Sequence, residues 1–245
     1  MVSQHTVRSY EEDLERVTRD VLEMGGLVEA QLAAAIHALV RRDADLASRV
    51  INDDRRIDEL EARVDEEVTR IMALRQPMAA DLRLVKVALK MASDLERMGD
   101  LAANTAKRSL VLTQADPVAL RAAIARMGEA VQVMIKDVLD AFAQRDADKA
   151  LSVRRRDTEV DEMYNGVFRA LLTYMMEDPS FITPCTHLVF VAKNIERIGD
   201  HTTNVAEMVT YLIKGETPPG ERPKSDTTST FAGPDAAKAA DEARA

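Results

Sequence analysis

Apolar side chains recur along most of the chain at alternating spacings of three and four. Leu120, Ile124, Met127, Val131, Met134, Val138 and Ala141 form one such run. Val160, Met163, Val167, Ala170 and Tyr174 form another, and Leu188, Val191, Ile195, Ile198, Thr202, Val205 and Val209 a third. The first half carries the same pattern with smaller residues, as in Met91, Leu95, Met98 and Ala102. A seven-residue apolar period held over several turns predicts long helices packed antiparallel in a bundle. No stretch shows the alternation of a half-buried strand. Turn residues mark the boundaries: Pro77, Pro117, Pro179 and Pro184 stand near predicted helix starts, where a missing N–H costs little. Asp116, just before Pro117, suits an N-cap.

The same pattern occurs twice. Arg42-Asp43-Ala44-Asp45 recurs as Arg145-Asp146-Ala147-Asp148, Met24-Gly25 as Met127-Gly128, and Asp54, Asp58 and Glu59 as Asp157, Asp161 and Glu162, all at an offset of 103. Beyond Pro77 the offset is 100: Glu96, Arg97, Gly99, Asp100 and Asn104 match Glu196, Arg197, Gly199, Asp200 and Asn204. An internal period of this length indicates a duplicated structural unit. The chain therefore reads as all-α, a tandem duplication of a three-helix unit with six long helices. Residues 1–114 form the first repeat and 115–215 the second. In 216–245 proline is enriched and Phe231 is the one large apolar residue, so this stretch reads as a disordered tail.

Charge narrows the function. The net charge is −9, spread along the chain, and no basic face presents itself to nucleic-acid phosphates. Cys185, the single cysteine, supports neither a disulfide framework nor a thiolate metal site and reads as a small buried hydrophobe. The opening MVSQHTVRSYEEDLERV is polar and acidic, unlike an export signal, and no apolar run approaches the ~20 residues that span a bilayer. A cytoplasmic protein is expected.

Candidate chemistry lies in DLERMGDLAANTA (94–106) and NIERIGDHTTNVA (194–206). On a helix, residues four apart share a face, so Glu96, Asp100 and Asn104 form one oxygen-bearing stripe and Glu196, Asp200 and Asn204 another. Roughly seven acidic pairs at that spacing are expected by chance from 42 acidic residues in 245. One pair alone is therefore uninformative, and Arg97 and Lys193 would make ordinary surface ion pairs. The duplication changes this, because both repeats keep the string in register and each brings a second pair, Asp54 with Asp58 and Asp157 with Asp161. Two helices would then gather four carboxylates per repeat, a hard-oxygen set that suits Mg²⁺, Mn²⁺, Ca²⁺ or iron. With Ile195 and Ile198 on the core seam, the acids fall off the seam, and an open site on the bundle surface is expected. His201, beside Asp200, is a candidate additional ligand. Gly99 and Gly199 serve either close helix packing or room beside the acids. Glu-x-x-His pairs of an inward di-iron site are absent.

At these residues the chain resembles the PhoU family, regulators of bacterial phosphate uptake. The resemblance is carried by MGGLVEAQL (24–32), RVINDDRRIDELEARVDEE (49–67), RQPMAADLRLV (75–85), DLERMGD (94–100), LDAFAQRDAD (139–148), LLTYMMED (171–178) and NIERIGDHTTNVAEMV (194–209). It implies two similar three-helix bundles and self-association as a homodimer. It also implies surface metal ions (iron, zinc, manganese or magnesium) held by Asp54, Asp58, Glu96 and Asp100 in the first repeat and by Asp157, Asp161, Glu196 and Asp200 in the second. Its implied partners are the phosphate ABC transporter ATPase and a phosphate sensor histidine kinase, through which alone the protein would meet the membrane, and no catalytic activity is implied. Lys107 stands where the second repeat has Glu207, so the second metal site is expected to be the better one. The residues by themselves leave two alternatives, a metal-dependent helical-bundle hydrolase or oxidase and a plain dimerising scaffold.

Overall fold

The computed structural model describes residues 2–115 and 120–218, with residues 2–8 as backbone alone. The expectations for Asp116, Pro117 and nearly all of the tail lie outside these residues. The described chain contains α1 (Val2–Arg41), α2 (Ala44–Asp53), α3 (Arg55–Arg75), α4 (Ala79–Leu112), α5 (Arg121–Gln144), α6 (Ala147–Glu177) and α7 (Ile182–Lys214), with a 3₁₀ turn at Pro179–Phe181. Helices α2 and α3 are one rod interrupted at Asp54, whose own backbone stays helical (φ −51°, ψ −40°). There the Ile57 N–H donates to the Asp54 carbonyl three residues back at 2.9 Å, while the bond from Asp58 N–H is stretched to 3.4 Å. Six helical rods result, as the periodicity requires.

The repeated R-D-A-D string is a helix-to-helix turn. Arg42 and Arg145 both adopt the left-handed conformation (φ 57° and 53°) that stops α1 and α5. The next N–H then closes onto a carbonyl five residues back, Asp43 on Ala38 at 3.0 Å and Asp146 on Ala141 at 2.9 Å. The two aspartates cap the following helices: Asp43 accepts from Leu46 N–H at 2.8 Å, and Asp146 from Asp148 and Lys149 N–H at 3.0 Å. So short a turn forces adjacent rods antiparallel.

The two units pack through an approximate twofold. Lys86 meets Tyr211, Asp94 meets His201, and Arg108 meets Phe190, so α4 and α7 run in opposite directions. Glycine contacts show the same relation for α1 and α5: Gly25 receives Leu139, and Gly128 receives Ile36. These contacts are mutual counterparts, since Ile36 and Leu139 are also 103 residues apart. A Cβ at Gly25 would stand 2.6 Å from Leu139 Cδ1, and one at Gly128 3.0 Å from Ile36 Cγ1, each with a still closer atom. One continuous core crosses between the repeats, from Val17 and Met24 through Met98 and Met134 to Ile198 and Val209.

Helices α4 and α7 have neighbours on several sides and bury two stripes each. Beside Leu188-Val191-Ile195-Ile198, a second heptad run, Ala192-Glu196-Gly199-Thr203-Ala206-Thr210, is also buried. In α4 the counterpart is Ala92-Gly99-Ala103-Ala106. Small residues let the facing rods approach closely. In α6 the buried line is Val153, Asp157, Val160, Tyr164, Val167 and Leu171, while Met163 is exposed. The inward face of α6 is thus rotated from the one expected through Met163 and Ala170.

Candidate functional site

In the first repeat the four carboxylates do converge on one face. Asp54 sits at the α2/α3 break, Asp58 one turn later, and Glu96 and Asp100 on the facing α4. Burial raises the Asp54 carboxyl above its ordinary value; the Gln31 amide, donating to Oδ1 at 2.8 Å, opposes this, and the negative charges of Asp58 and Asp100 add to it. Glu96 is raised likewise, first by burial, then by Asp100, with Arg97 opposing and Glu61 and Asp58 reinforcing. The site is open: the side chains of Glu96 and Asp100 are 22% and 47% exposed, and Asp58 is exposed.

The second repeat differs. Asp157, Asp161 and Glu196 are 1%, 2% and 3% exposed, so the expected open surface site is corrected here to a closed one. Two causes combine. The true inward face of α6 includes Asp157 and Asp161, and Glu196 belongs to the second buried stripe of α7. The Lys193 ammonium lies 2.8 Å from Glu196 Oε1 and 4.9 Å from the centre of the Tyr164 ring. Copy one has Ser93 at the position of Lys193, and Glu96 meets only a looser Arg97 contact at 3.5 Å. Lys107 does act on the first repeat, opposing the upward shift of Asp54 and donating to Asn104 at 3.3 Å. Its counterpart Glu207 pairs with Arg154 at 2.9 Å. His201 does not face the acids of its own repeat. Its Nδ1 is 2.7 Å from Asp94 of the first, and Asn204 donates to the same oxygen at 3.4 Å. These two residues of the second string fasten it to the first.

The glycines divide in the same way. A Cβ at Gly99 would stand 2.9 Å from Ile57 Cδ1, 3.2 Å from Asp54 Oδ1 and 3.3 Å from Gln31 Oε1, so α4 needs glycine to approach its neighbours. At Gly199 the nearest atoms, Asp157 Oδ1 and Val160 Cγ1, are at 3.6 Å, an ordinary contact. Gly199→Ala is therefore expected to gain up to about 1 kcal/mol from helix propensity. Gly99→Ala should fall short of that gain because neighbours must shift, and chemical denaturation of the two variants measures the difference. Equal gains would rule out the close-approach explanation for Gly99.

The donor set fits a hard cation in kind: Asp54 and Glu96, whose carboxyls are raised by burial and by neighbouring negative charge, lose that repulsion when a cation enters. Among the described residues no three His, Cys, Asp or Glu side chains stand close enough to share one ion, so binding requires side-chain movement. Sequence reasoning missed Gln31, buried and bonded to Asp54, whose repeat counterpart is Met134. The asymmetry leaves no repeated signal. Cys185 is buried, which pushes its thiol up, in keeping with a packing role.

The family model described as "PhoU domain" matches residues 21–109 and again 124–209, one match per repeat. This chain belongs to the PhoU family. A Caulobacter vibrioides (strain NA1000 / CB15N) protein named phosphate-specific transport system accessory protein PhoU homolog is 52% identical over 229 residues, covering 93% of this chain and all of that protein. A Rhizobium meliloti (strain 1021) protein of the same name is 49% identical over 228 residues, 93% of this chain and 96% of its own length. The crystal structure of PhoU from Pseudomonas aeruginosa superposes with a TM-score of 0.81 at 43% identity, covering 84% of this chain and all of that one. The phosphate transport system regulatory protein PhoU from Streptococcus pneumoniae gives 0.80 at 30% identity, over 86% and 99%. Both solved structures thus share the fold of this chain, whose described residues form helices and no strand. No helix among the described residues is long and apolar enough to cross a membrane.

Proposed function

We propose that the chain is a non-enzymatic accessory regulator of phosphate-specific transport that restrains uptake and phosphate-responsive signalling. The observation that carries this is the near full-length identity, about one residue in two, to proteins named as accessory proteins of that system. The partners are the transporter ATPase and a sensor histidine kinase, met in the cytoplasm, and the chain acts as a homodimer. Divalent or ferric ions bind Asp54, Asp58, Glu96 and Asp100, and, in the reverse of the order expected from Lys107, less readily Asp157, Asp161, Glu196 and Asp200, where burial limits access and Lys193 already offsets part of the charge. Iron, zinc, manganese and magnesium remain the candidate ions. Members of this family are regulatory proteins and not enzymes, which removes the hydrolase or oxidase alternative.

Two measurements test this. Capture of the ATPase from native membranes under phosphate-replete conditions is expected, and repeated failure there would sink the adaptor role. In protein purified without chelator, Asp54→Asn/Asp100→Asn should lower bound metal and abolish the rise in melting temperature on adding Mn²⁺. Asp161→Asn should leave most of both intact. Equal metal content in all three proteins would remove the first-repeat site.

A further inference from the structure

Beside the α4–α7 crossing, bordering the first acidic face at Arg97, lies a cleft of about 660 Å³ lined by both repeats. Its size falls in the range of small-molecule sites, about 300–1,000 Å³. Lys86, Lys90 and Arg97 enter from α4, opposite His201, Met208 and Tyr211 of α7. The charge balance is unusual for a chain of net charge −9. Both acids in the wall are already engaged, Asp94 by His201 at 2.7 Å and Glu207 by Arg154 at 2.9 Å. Lys90 has no ion-pair partner among the described residues, and Lys86 has only the Tyr211 ring, 5.9 Å from its ammonium. Arg97 reaches its carboxylates only loosely, at 3.5 and 3.9 Å.

The same cleft has an apolar wall formed by Met208 over the buried Val87, with Tyr211 at its end. Lys86 and Lys90, one helical turn apart on one face, form a fork about 6 Å wide. At the twofold-related positions Thr186 and Phe190 stand in place of Lys86 and Lys90, and Arg108 lies on Phe190, 4.0 Å from the ring centre, and contacts His187. The lysine fork is therefore peculiar to the first repeat's helix.

We propose that this cleft binds a nucleotide-class ligand, a phosphorylated compound with a flat ring. Lys86 and Lys90 take the phosphoryl oxygens, and the ring lies along Met208 towards Tyr211. Because residues of both repeats line the cleft, the ligand bridges α4 and α7 and stabilises their docking. A nucleotide suits the site better than inorganic phosphate, which leaves the apolar wall unused, and better than a bare ring, which leaves the lysines unpaired.

The test uses the full chain with three probes: ADP, pyrophosphate and adenosine, read by calorimetry and by melting temperature in chelator-treated buffer free of divalent ions. ADP is expected to bind and raise the melting temperature, with pyrophosphate clearly weaker and adenosine weakest. Lys86→Glu/Lys90→Glu should weaken ADP binding by about tenfold or more. Lys90→Gln, a gentler change, should weaken it less while far-UV circular dichroism shows the helices intact. No ADP binding at millimolar concentration overturns the proposal, as does equal binding by wild type and the double variant. Binding of an oligo-glutamate peptide but not ADP would also overturn it, identifying the cleft as a groove for an acidic segment. None of these outcomes depends on the metal site or on the transporter, so this test and those above fail separately.

Discussion

Gly128→Val is expected to destabilise the protein by about 3 kcal/mol, the upper part of the usual range for overpacking a core. That corresponds to a fall of roughly 6–12 °C in melting temperature for a chain of this size. A Cβ at this position would overlap Ile36, itself buried at 6% exposure in the core shared by α1 and α5. Valine adds two further methyls to a gap that does not admit one. Gly25→Val should behave alike, through Leu139, because the contact is the twofold counterpart. The control is Gly26→Val: nothing lies within 4 Å of a Cβ there, and a change below about 0.5 kcal/mol is expected. Ile36→Ala added to Gly128→Val should restore part of the loss, since the two changes act on one contact. If Gly128→Val is as stable as Gly26→Val in a urea titration, the glycine contacts do not hold the repeats together.

The second large effect concerns the closed acidic face. Lys193→Met is expected to cost about 2 kcal/mol at pH 7. Glu196 is buried, and the substitution takes away the ammonium at 2.8 Å from a carboxylate in a poorly hydrated place. The figure sits below the 3–5 kcal/mol typical of breaking a fully buried pair because Lys193 is itself 36% exposed. Lys193→Met/Glu196→Gln should recover most of the loss, and the double-mutant cycle gives the coupling directly. An additive double variant would mean that the two groups do not act as a pair. Ser93→Lys makes the converse change in the first repeat, placing an ammonium beside Glu96, and is expected to lower Mn²⁺ binding there.

Much of the architecture was legible in the chain because helical burial is periodic. The stripes of α5 and α7 are buried residue for residue, apart from a partly buried Leu120. The repeat offset picked out both R-D-A-D strings, and the structure showed them to be turns closed by local backbone bonds. The phase of α6 was harder to read. Its inward line contains Asp157 in place of an apolar residue, and Met163 drew the apparent stripe to the wrong face. The second stripe of α7 was written in small residues, Ala192, Gly199, Thr203 and Ala206, which carry little hydrophobic signal even when buried.

Sequence by itself determined the duplication, the helical class and the acidic residues of each repeat, all of which depend on spacing along one chain. Tertiary structure alone decided which way each acid faces. Whether Glu96 is open and Glu196 closed depends on how a neighbouring rod lies across it, a relation between residues far apart in sequence. It also decided that Gly25 and Gly128 form the seam between repeats, and that Lys86 and Lys90 share a cleft with Tyr211. The strings at 94 and 194 promised two open sites of one kind, the second the better. Docking the repeats antiparallel gave them different surroundings, because Asp94, His201, Ser93 and Lys193 have no identical counterparts to keep the two halves alike.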